Sequence, residues 1–181
     1  MNQSEKRQFL IQSLLKERPE YRDLSIQAES ESQRQLLRGL MNIRAPRRMD
    51  AEFLKTQDEY LQAETAAKGI TDIDDLTPVQ PRLYLWQGDI TTLRCDAIVN
   101  AANSGMTGCY IPNHRCIDNA IHTFAGVELR LACAELMRQQ GYPEPTGQAK
   151  ITPAFNLPCR YVLHTVGPII NGRVTKADEE L

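Results

Sequence analysis

Apolar residues change their spacing along this chain near residue 75, and that change limits the folds open to it. Before this point they recur every three or four residues, as on one face of a helix, and glycine is rare. After Pro81, short apolar runs alternate with stretches of helical spacing, which is typical of a sheet with helices packed on its faces. The sequence therefore predicts an N-terminal helical segment over 1–75 and an α/β domain over 76–181.

Three helices are predicted within the helical segment. The first is interrupted by Pro19, the second ends before Pro46, and the third lies between Asp50, a suitable N-cap, and Gly69. The segment carries no recognisable catalytic group, so we expect it to act as a packing layer or cover. A linker rich in acidic and turn residues is predicted over 72–81.

The α/β domain is predicted to contain about four strands and two full helices. The strands are expected at 83–86, 97–100, 148–152 and 161–165, and the helices at 117–124 and 127–139. The strand at 97–100 is expected to be buried on both faces. A further helix starts near Lys176, so the sheet is either small or part of something longer.

Composition excludes several classes of function. The net charge is −2, from 21 basic and 23 acidic residues, so no strong positive field indicates a nucleic-acid partner. The nearest approach to a basic patch, at Arg44, Arg47 and Arg48, is interpreted as a solvated connection between helices. No run approaches the roughly 20 apolar residues of a membrane span. Five cysteines and a polar N-terminus favour reduced thiols and a cytoplasmic location.

Two thiols and an imidazole lie within eight residues, at Cys109, His114 and Cys116, just after a predicted strand. Two sulfurs and one nitrogen suit a zinc ion. No fourth ligand is close in sequence, which favours an open, catalytic type of site over a closed structural one. The alternative is that both cysteines are small packing residues and His114 lies on a surface loop.

Five segments, in chain order, carry a resemblance to a known family. They are 88–91 (GDIT), 96–103 (DAIVNAAN), 117–122 (IDNAIH), 146–152 (TGQAKIT) and 161–168 (YVLHTVGP). With them the chain resembles the macrodomain family of ADP-ribose binders and hydrolases. The resemblance implies a three-layer α/β/α sheet, and ADP-ribose in a crevice at the carboxyl ends of its strands.

Two departures from the family pattern refine this expectation. A run of glycines that usually precedes the Asp118 position is replaced by the longer segment with Cys109, His114 and Cys116. That replacement looks like the zinc-dependent microbial branch, often associated with sirtuin-type ADP-ribosyl transferases, and implies one Zn²⁺ per chain. The final two strands and the Gly-rich diphosphate loop of the family find no match. We therefore expect 76–181 to be the N-terminal portion of an incomplete macrodomain.

The resemblance also implies roles for individual residues. Asp89 would accept a hydrogen bond from the adenine amino group, and the backbone of Ile90 would contact the same ring. Asn103 would hold the distal ribose, and the helix beginning at Ile117 would offer N–H groups to the diphosphate. Asp118 would be the general base or would orient water. Without the family, these side chains would be interpreted as turn formers and a helix cap.

The expected reaction is hydrolysis at the distal ribose C1″, which removes mono-ADP-ribose from a modified protein. An ester to Asp or Glu is the favoured linkage because carboxylate is a better leaving group than an amide nitrogen. Zinc would either lower the pKa of a bound water toward about 7 or polarise and orient the sugar oxygens. The alternatives are a reader module that binds ADP-ribosylated protein without chemistry, and a deacetylase of O-acetyl-ADP-ribose.

The remaining histidines and cysteines are predicted to serve the core. His122 lies on the helix face that would pack on the sheet, and His164 lies inside an apolar strand, so both are expected to be hydrogen-bonded core residues. The three other cysteines lie in apolar surroundings and are interpreted as packing residues: Cys95, Cys133 and Cys159.

Overall fold

The computed structural model describes residues 1–21, 24–170 and 172–179. Its helices are α1 Gln3–Lys16, α2 Ser30–Ile43, α3 Ala51–Lys68, α4 Ile117–Ala125, α5 Val127–Gln140 and α6 Lys176–Glu179. Its strands are β1 Thr71–Asp72, β2 Pro78–Gln80, β3 Leu83–Tyr84, β4 Leu93–Arg94, β5 Ala97–Ala102, β6 Ala149–Pro153 and β7 Tyr161–Val166. The prediction at 176–181 lies partly outside the described residues.

Helices α1, α2 and α3 form the N-terminal segment that the sequence predicts. Asn2 begins α1 with a capping box, in which its side chain and that of Glu5 satisfy each other's backbone N–H groups. Asp50 caps α3 by accepting a hydrogen bond from the backbone N–H of Phe53, and Gly69 ends it. The three helices pack around one apolar cluster of buried side chains: Leu10, Ile11, Leu14, Leu37, Leu40, Met41, Phe53, Tyr60, Leu61 and Val127.

The main sheet has three strands in the order β5-β7-β6. β5 and β7 run parallel over six residue pairs, from Ala97 opposite Tyr161 to Ala102 opposite Val166. β6 pairs antiparallel with β7. The short strands form two separate ladders, β1 parallel to β4 and β2 antiparallel to β3. Helix α4 packs against β5 and α5 against β6, so both cover the same main sheet.

Burial alternates along the strands of the main sheet, as expected when one face meets the core. Ile98 and Val162 are buried beneath α4 and α5. Val99 and Ile151, on the opposite face, are 52% and 55% exposed. The prediction that the strand at 97–100 is buried on both faces is therefore wrong, because no helix of the described residues covers the second face. The α/β fold class itself is confirmed.

Three local predictions are also corrected. Only Leu83–Tyr84 of the strand predicted at 83–86 is a strand, and both of its side chains are exposed. The linker predicted over 72–81 contributes to two short ladders. Arg44 is 4% exposed and not solvated, because it forms a bidentate ion pair with Glu17 and donates to nearby carbonyls.

The division of the chain at residue 75 stays a prediction. Among the described residues, no helix has the length and apolar character to span a membrane.

Gly126 separates α4 from α5 in a backbone conformation that only glycine adopts readily, with φ 97° and ψ 175°. A Cβ atom there would lie 2.6 Å from Nε2 of Gln57. Gln57 is fully buried, and its Oε1 accepts a hydrogen bond from the N–H of Val127 at 2.9 Å. The neighbouring side chain is therefore fixed, and the turn between the two helices leaves no space for a side chain.

We expect Gly126→Ala to lower the free energy of unfolding by at least about 3 kcal/mol, from backbone strain together with overpacking. Gly141→Ala is the matched control, since Gly141 ends α5 at φ 81° and a Cβ there meets nothing within 4 Å. Gly141→Ala should lower the free energy of unfolding by only about 1–2 kcal/mol, the cost of placing alanine in the left-handed conformation. Urea denaturation measures both, and equal losses would show that close packing at Gly126 has no energetic consequence.

Candidate active site

The loop between β5 and α4 brings Cys109, His114 and Cys116 together. One ligand atom from each lies within 4.8 Å of the others. Sγ of Cys109 is 3.5 Å from Nδ1 of His114. Ordinary Zn–S and Zn–N lengths in a tetrahedral site place two such ligand atoms about 3.6 Å apart. The spacing of these side chains therefore fits one zinc ion.

Cys116 also begins α4 as its N-cap. Its Sγ accepts a hydrogen bond from the backbone N–H of Asn119 at 3.4 Å. Burial raises the pKa of the Cys116 thiol, and the nearby Cys109 and Asp118 raise it further. The thiol is therefore held neutral unless a cation compensates the charge of the thiolate, as a bound metal ion does.

Asp118 lies in the first turn of α4, with its side chain turned toward β5 and 5% of the residue exposed. Its Oδ1 accepts a hydrogen bond from Nδ2 of Asn100 at 2.8 Å, and its Oδ2 accepts one from Nδ2 of Asn103 at 3.3 Å. Burial raises the pKa of the Asp118 carboxyl, although the two amides and Arg130 oppose this. The carboxylate is thus both oriented and made more basic.

Asn103 directly follows β5 and links this carboxylate to the loop. Its Nδ2 also donates to the carbonyl of Gly108 at 3.2 Å, and its Oδ1 accepts from the N–H of Gly105 at 3.0 Å. The Asn103 side chain therefore also stabilises a turn, which is the role that its residue type suggests when the family resemblance is set aside. Its contact with Asp118 nevertheless brings the two predicted catalytic side chains together.

Asp89 and Ile90 lie at a short 3-10 turn before β4. Oδ2 of Asp89 pairs with Nζ of Lys68 at 3.0 Å, and its Oδ1 accepts from the N–H of Thr91 at 3.0 Å. Partial burial opposes ionisation of Asp89, but the hydrogen bonds from Thr91 and Lys68 outweigh it and lower the pKa of the carboxyl. Lys68 also lies 3.4 Å from the centre of the Phe124 ring.

A cavity of about 690 Å³ lies between α2, α3 and α4. Its walls include Asp89, Lys68 and Phe124, together with Arg115 and Cys116 at the other end of α4. The lining contains neither Asn103, which is exposed, nor Asp118, whose side chain is turned toward Asn100 of β5. The predicted adenine contact and one predicted metal ligand thus border a common space, and the paired carboxylate and amide lie outside it.

His122 and His164 are both buried, as predicted. Nδ1 of His164 lies 3.1 Å from Nδ2 of Asn100, its Nε2 lies 3.0 Å from Oγ1 of Thr152, and burial lowers its pKa to about 4. Neither ring nitrogen of His122 has a hydrogen-bond partner within the described chain, so the expectation that it is hydrogen-bonded is wrong. Burial, with Arg130 and His164, lowers the pKa of His122 to about 3. Both rings are neutral.

Of the cysteines predicted to serve packing, Cys133 and Cys159 are buried and Cys95 is partly buried. Sγ of Cys133 lies 3.7 Å from Nε2 of His164. Burial raises the pKa of Cys133 to about 12 and that of Cys159 to about 11, so both remain thiols.

Four further polar residues support the site and were missed by sequence reasoning: Arg38, Asn100, Asn119 and Arg130. Asn100 is fully buried and orients Asp118. The sequence does offer a signal for Asn100, because a polar residue at a buried position of an apolar strand indicates a functional or structural hydrogen bond. Arg130 donates from α5 to the carbonyls of Thr107 and Cys109 in the loop and also to the end of α2. Nothing in the local sequence marks Arg38 or Arg130, because their partners lie far away along the chain.

The fold and the site define an α/β protein with a Cys/His loop and a buried carboxylate at the end of a parallel strand pair. The profile of the Macro domain matches residues 99–181. A protein-ADP-ribose hydrolase of Treponema medium is 59% identical over 182 residues, which cover 98% of this chain and 70% of that protein. The chain belongs to the macro domain family.

Two other similarities extend this comparison. A protein-ADP-ribose hydrolase of Staphylococcus aureus is 46% identical over 96% of this chain and 66% of that protein. The macrodomain of Trypanosoma brucei in complex with ADP-ribose is 29% identical, with a TM-score of 0.48, and covers 72% of this chain and 59% of that chain. This chain thus spans about two thirds of the length of the curated relatives it matches.

Proposed function

We propose that this protein is a zinc-dependent hydrolase that removes mono-ADP-ribose from protein side chains. The observation that carries the proposal is the meeting of two groups at the start of α4. A Cys/His cluster with zinc-like spacing lies two residues from a buried carboxylate that Asn100 and Asn103 orient. Relatives named protein-ADP-ribose hydrolase, at 59% and 46% identity, support the same activity.

Cys109, His114 and Cys116 would hold the metal. When bound, zinc would supply Lewis acidity that orients and polarises the oxygens of the substrate sugar or acidifies a water. Two thiolates would balance the charge of the ion, which favours the orienting role. One ion is expected at this cluster, because Cys109, His114 and Cys116 offer a single set of three ligands.

Asp118 would accept a proton from the attacking water. The water oxygen forms a bond to C1″ of the distal ribose while the bond from C1″ to the side-chain oxygen breaks, and the carboxylate of the modified Asp or Glu leaves. The raised pKa of Asp118 suits it to this task, since a more basic carboxylate takes a proton more readily. Asn103 would hold the distal ribose with its amide beside Asp118.

The remaining contacts would place the nucleotide. Asp89 would accept from the adenine amino group and Ile90 would contact the ring, which requires Lys68 to move from its position on Asp89. Backbone N–H groups at Ile117 and the positive end of α4 would face the diphosphate. The proposed partners are ADP-ribosylated proteins and a sirtuin-type transferase that modifies them, in the cytoplasm. No nucleic acid or membrane enters this proposal.

A reader module is the rival from another class, since it would bind the modified protein without cleaving it. The oriented, basic carboxylate argues for the enzyme, because binding alone does not need one. Deacetylation of O-acetyl-ADP-ribose is a third reading that uses the same pocket.

The decisive experiment incubates the protein with two labelled substrates, one ADP-ribosylated on aspartate and one on arginine. We expect free ADP-ribose to be released from the aspartate ester much faster than from the arginine linkage, because carboxylate is the better leaving group. A zinc chelator should abolish this release, and added zinc should restore it. If the label stays on the protein while ADP-ribose still binds, the reader is supported. If release continues in the presence of the chelator, only the role of zinc is rejected and the hydrolase activity stands.

A further inference from the structure

One residue contacts both the backbone and a thiol of the loop that carries the cluster, through its side chain and its own backbone N–H respectively. Asn119 is fully buried in α4, and its Nδ2 donates to the carbonyls of Ile111, at 3.0 Å, and Cys109, at 3.5 Å. Its backbone N–H donates to Sγ of Cys116 at 3.4 Å. Both N–H groups of the Asn119 side chain therefore donate to the loop.

Arg38 completes the arrangement from α2, in the N-terminal helical segment. Its Nη2 and Nε donate to Oδ1 of Asn119 at 2.8 and 3.2 Å. The same Nη2 donates to the carbonyl of His114 at 3.0 Å. Arg38 and Asn119 together thus touch the backbone or thiol of all three clustered residues, although Arg38 lies more than seventy positions before them.

A second contact from α2 supports the loop beside His114. Oδ1 of Asn42 accepts a hydrogen bond from the N–H of Asn113 at 3.0 Å. Asn113 has φ 55°, the left-handed conformation that asparagine adopts more readily than most other non-glycine residues, so the residue type itself suits this turn. The backbone turn that presents His114 is also held by a side chain of α2.

We propose that Arg38 and Asn119 are positioning residues that hold the Cys/His loop ready for zinc, so that the N-terminal helical segment is a structural part of the metal site. This inference rests on the zinc site of the proposed function. A guanidinium can donate to the Asn119 amide and the His114 carbonyl simultaneously, whereas a lysine ammonium has no such fixed fork. Without Arg38, a buried oxygen of Asn119 loses its donors, and the amide is free to turn away from the loop.

The test compares Arg38→Met with Arg34→Met in the full chain. Arg34 lies one turn earlier on α2, and its guanidinium pairs with Glu64 at 3.0 Å. Zinc affinity is measured by competition with a chromophoric chelator. Loss of an outer-shell partner typically weakens metal binding by 10–100-fold, so we expect about that loss for Arg38→Met and less than about threefold for Arg34→Met. Arg38→Lys should fall between them.

Circular dichroism of each variant without zinc controls for folding. If Arg38→Met does not fold, the zinc affinity of Arg38→Lys is the deciding measurement. Equal zinc affinity in Arg38→Met and Arg34→Met, or wild-type affinity in a folded Arg38→Lys when Arg38→Met is unfolded, would overturn the inference and leave the zinc site standing. A wild-type chain that binds no zinc would overturn both this inference and the role of zinc in the proposed function.

Discussion

Asp118→Asn is expected to lower kcat for ADP-ribose release by about 10²–10⁴-fold, the range typical of a lost general base. The change keeps the size of the side chain but removes its basicity. One amide of the Asn100–Asn103 pair must then turn to avoid facing another N–H₂ group. Since the proposed nucleotide contacts at Asp89 and Ile90 are untouched, ADP-ribose affinity should change far less than turnover. Steady-state kinetics and calorimetric titration measure the two quantities.

Asp96→Asn is the matched control. The Asp96 side chain is 87% exposed, and its one contact among the described residues is a long ion pair with Arg160 at 3.4 Å. Its replacement should leave kcat within about twofold, because exposed ion pairs contribute little. If Asp118→Asn retained wild-type kcat, Asp118 would not be the proton acceptor and the proposed mechanism would be wrong.

Cys116→Ser should have the second largest effect, because it removes one of three proposed metal ligands and the N-cap sulfur of α4. We expect zinc affinity to fall by more than the roughly 100-fold that outer-shell changes cause, and hydrolysis to fall with occupancy. A serine hydroxyl still caps the helix, so helical content should be retained. Elemental analysis after dialysis measures the zinc that remains.

Cys95→Ser provides the matched thiol control. Sγ of Cys95 lies 3.3 Å from the carbonyl of Ala97, outside the Cys109–Cys116 loop, and the residue is partly buried. This variant should keep about one zinc per chain. Full zinc occupancy in Cys116→Ser would mean that the ligand set is wrong, whatever the effect on turnover.

Local patterns were sufficient to predict the secondary structure near the site. Apolar spacing and caps placed α3 between Asp50 and Gly69, and the helix expected at 117–124 is α4, Ile117–Ala125. These predictions succeed because capping and amphipathic spacing are local physical signals. The same reasoning failed for the exposed face at Val99, since burial depends on what else covers the sheet.

The contacts of the site also separate into those that are local in sequence, which could be predicted, and those between distant parts of the chain, which could not. Cys109, His114 and Cys116 are close in sequence, so their meeting in space could be expected from a single loop. Asn103 and Asp118 were named through resemblance, and their contact lies within one connection. The hydrogen bond of Asn100 to His164 and that of Arg38 to Asn119 join distant parts of the chain. Only the packing of whole elements brings such partners together, and a single sequence carries no signal of it.

The parallel pairing of β5 with β7 has a consequence for how the protein is made. During synthesis, Asn100 and Asp118 leave the ribosome well before His164, the partner that fixes the second N–H of the Asn100 amide. Until β7 has paired with β5, that amide can rotate, and Asp118 lacks a hydrogen bond of fixed geometry from Asn100. We therefore expect this half of the carboxylate's hydrogen bonding to form late, because it depends on a contact between residues far apart in the chain.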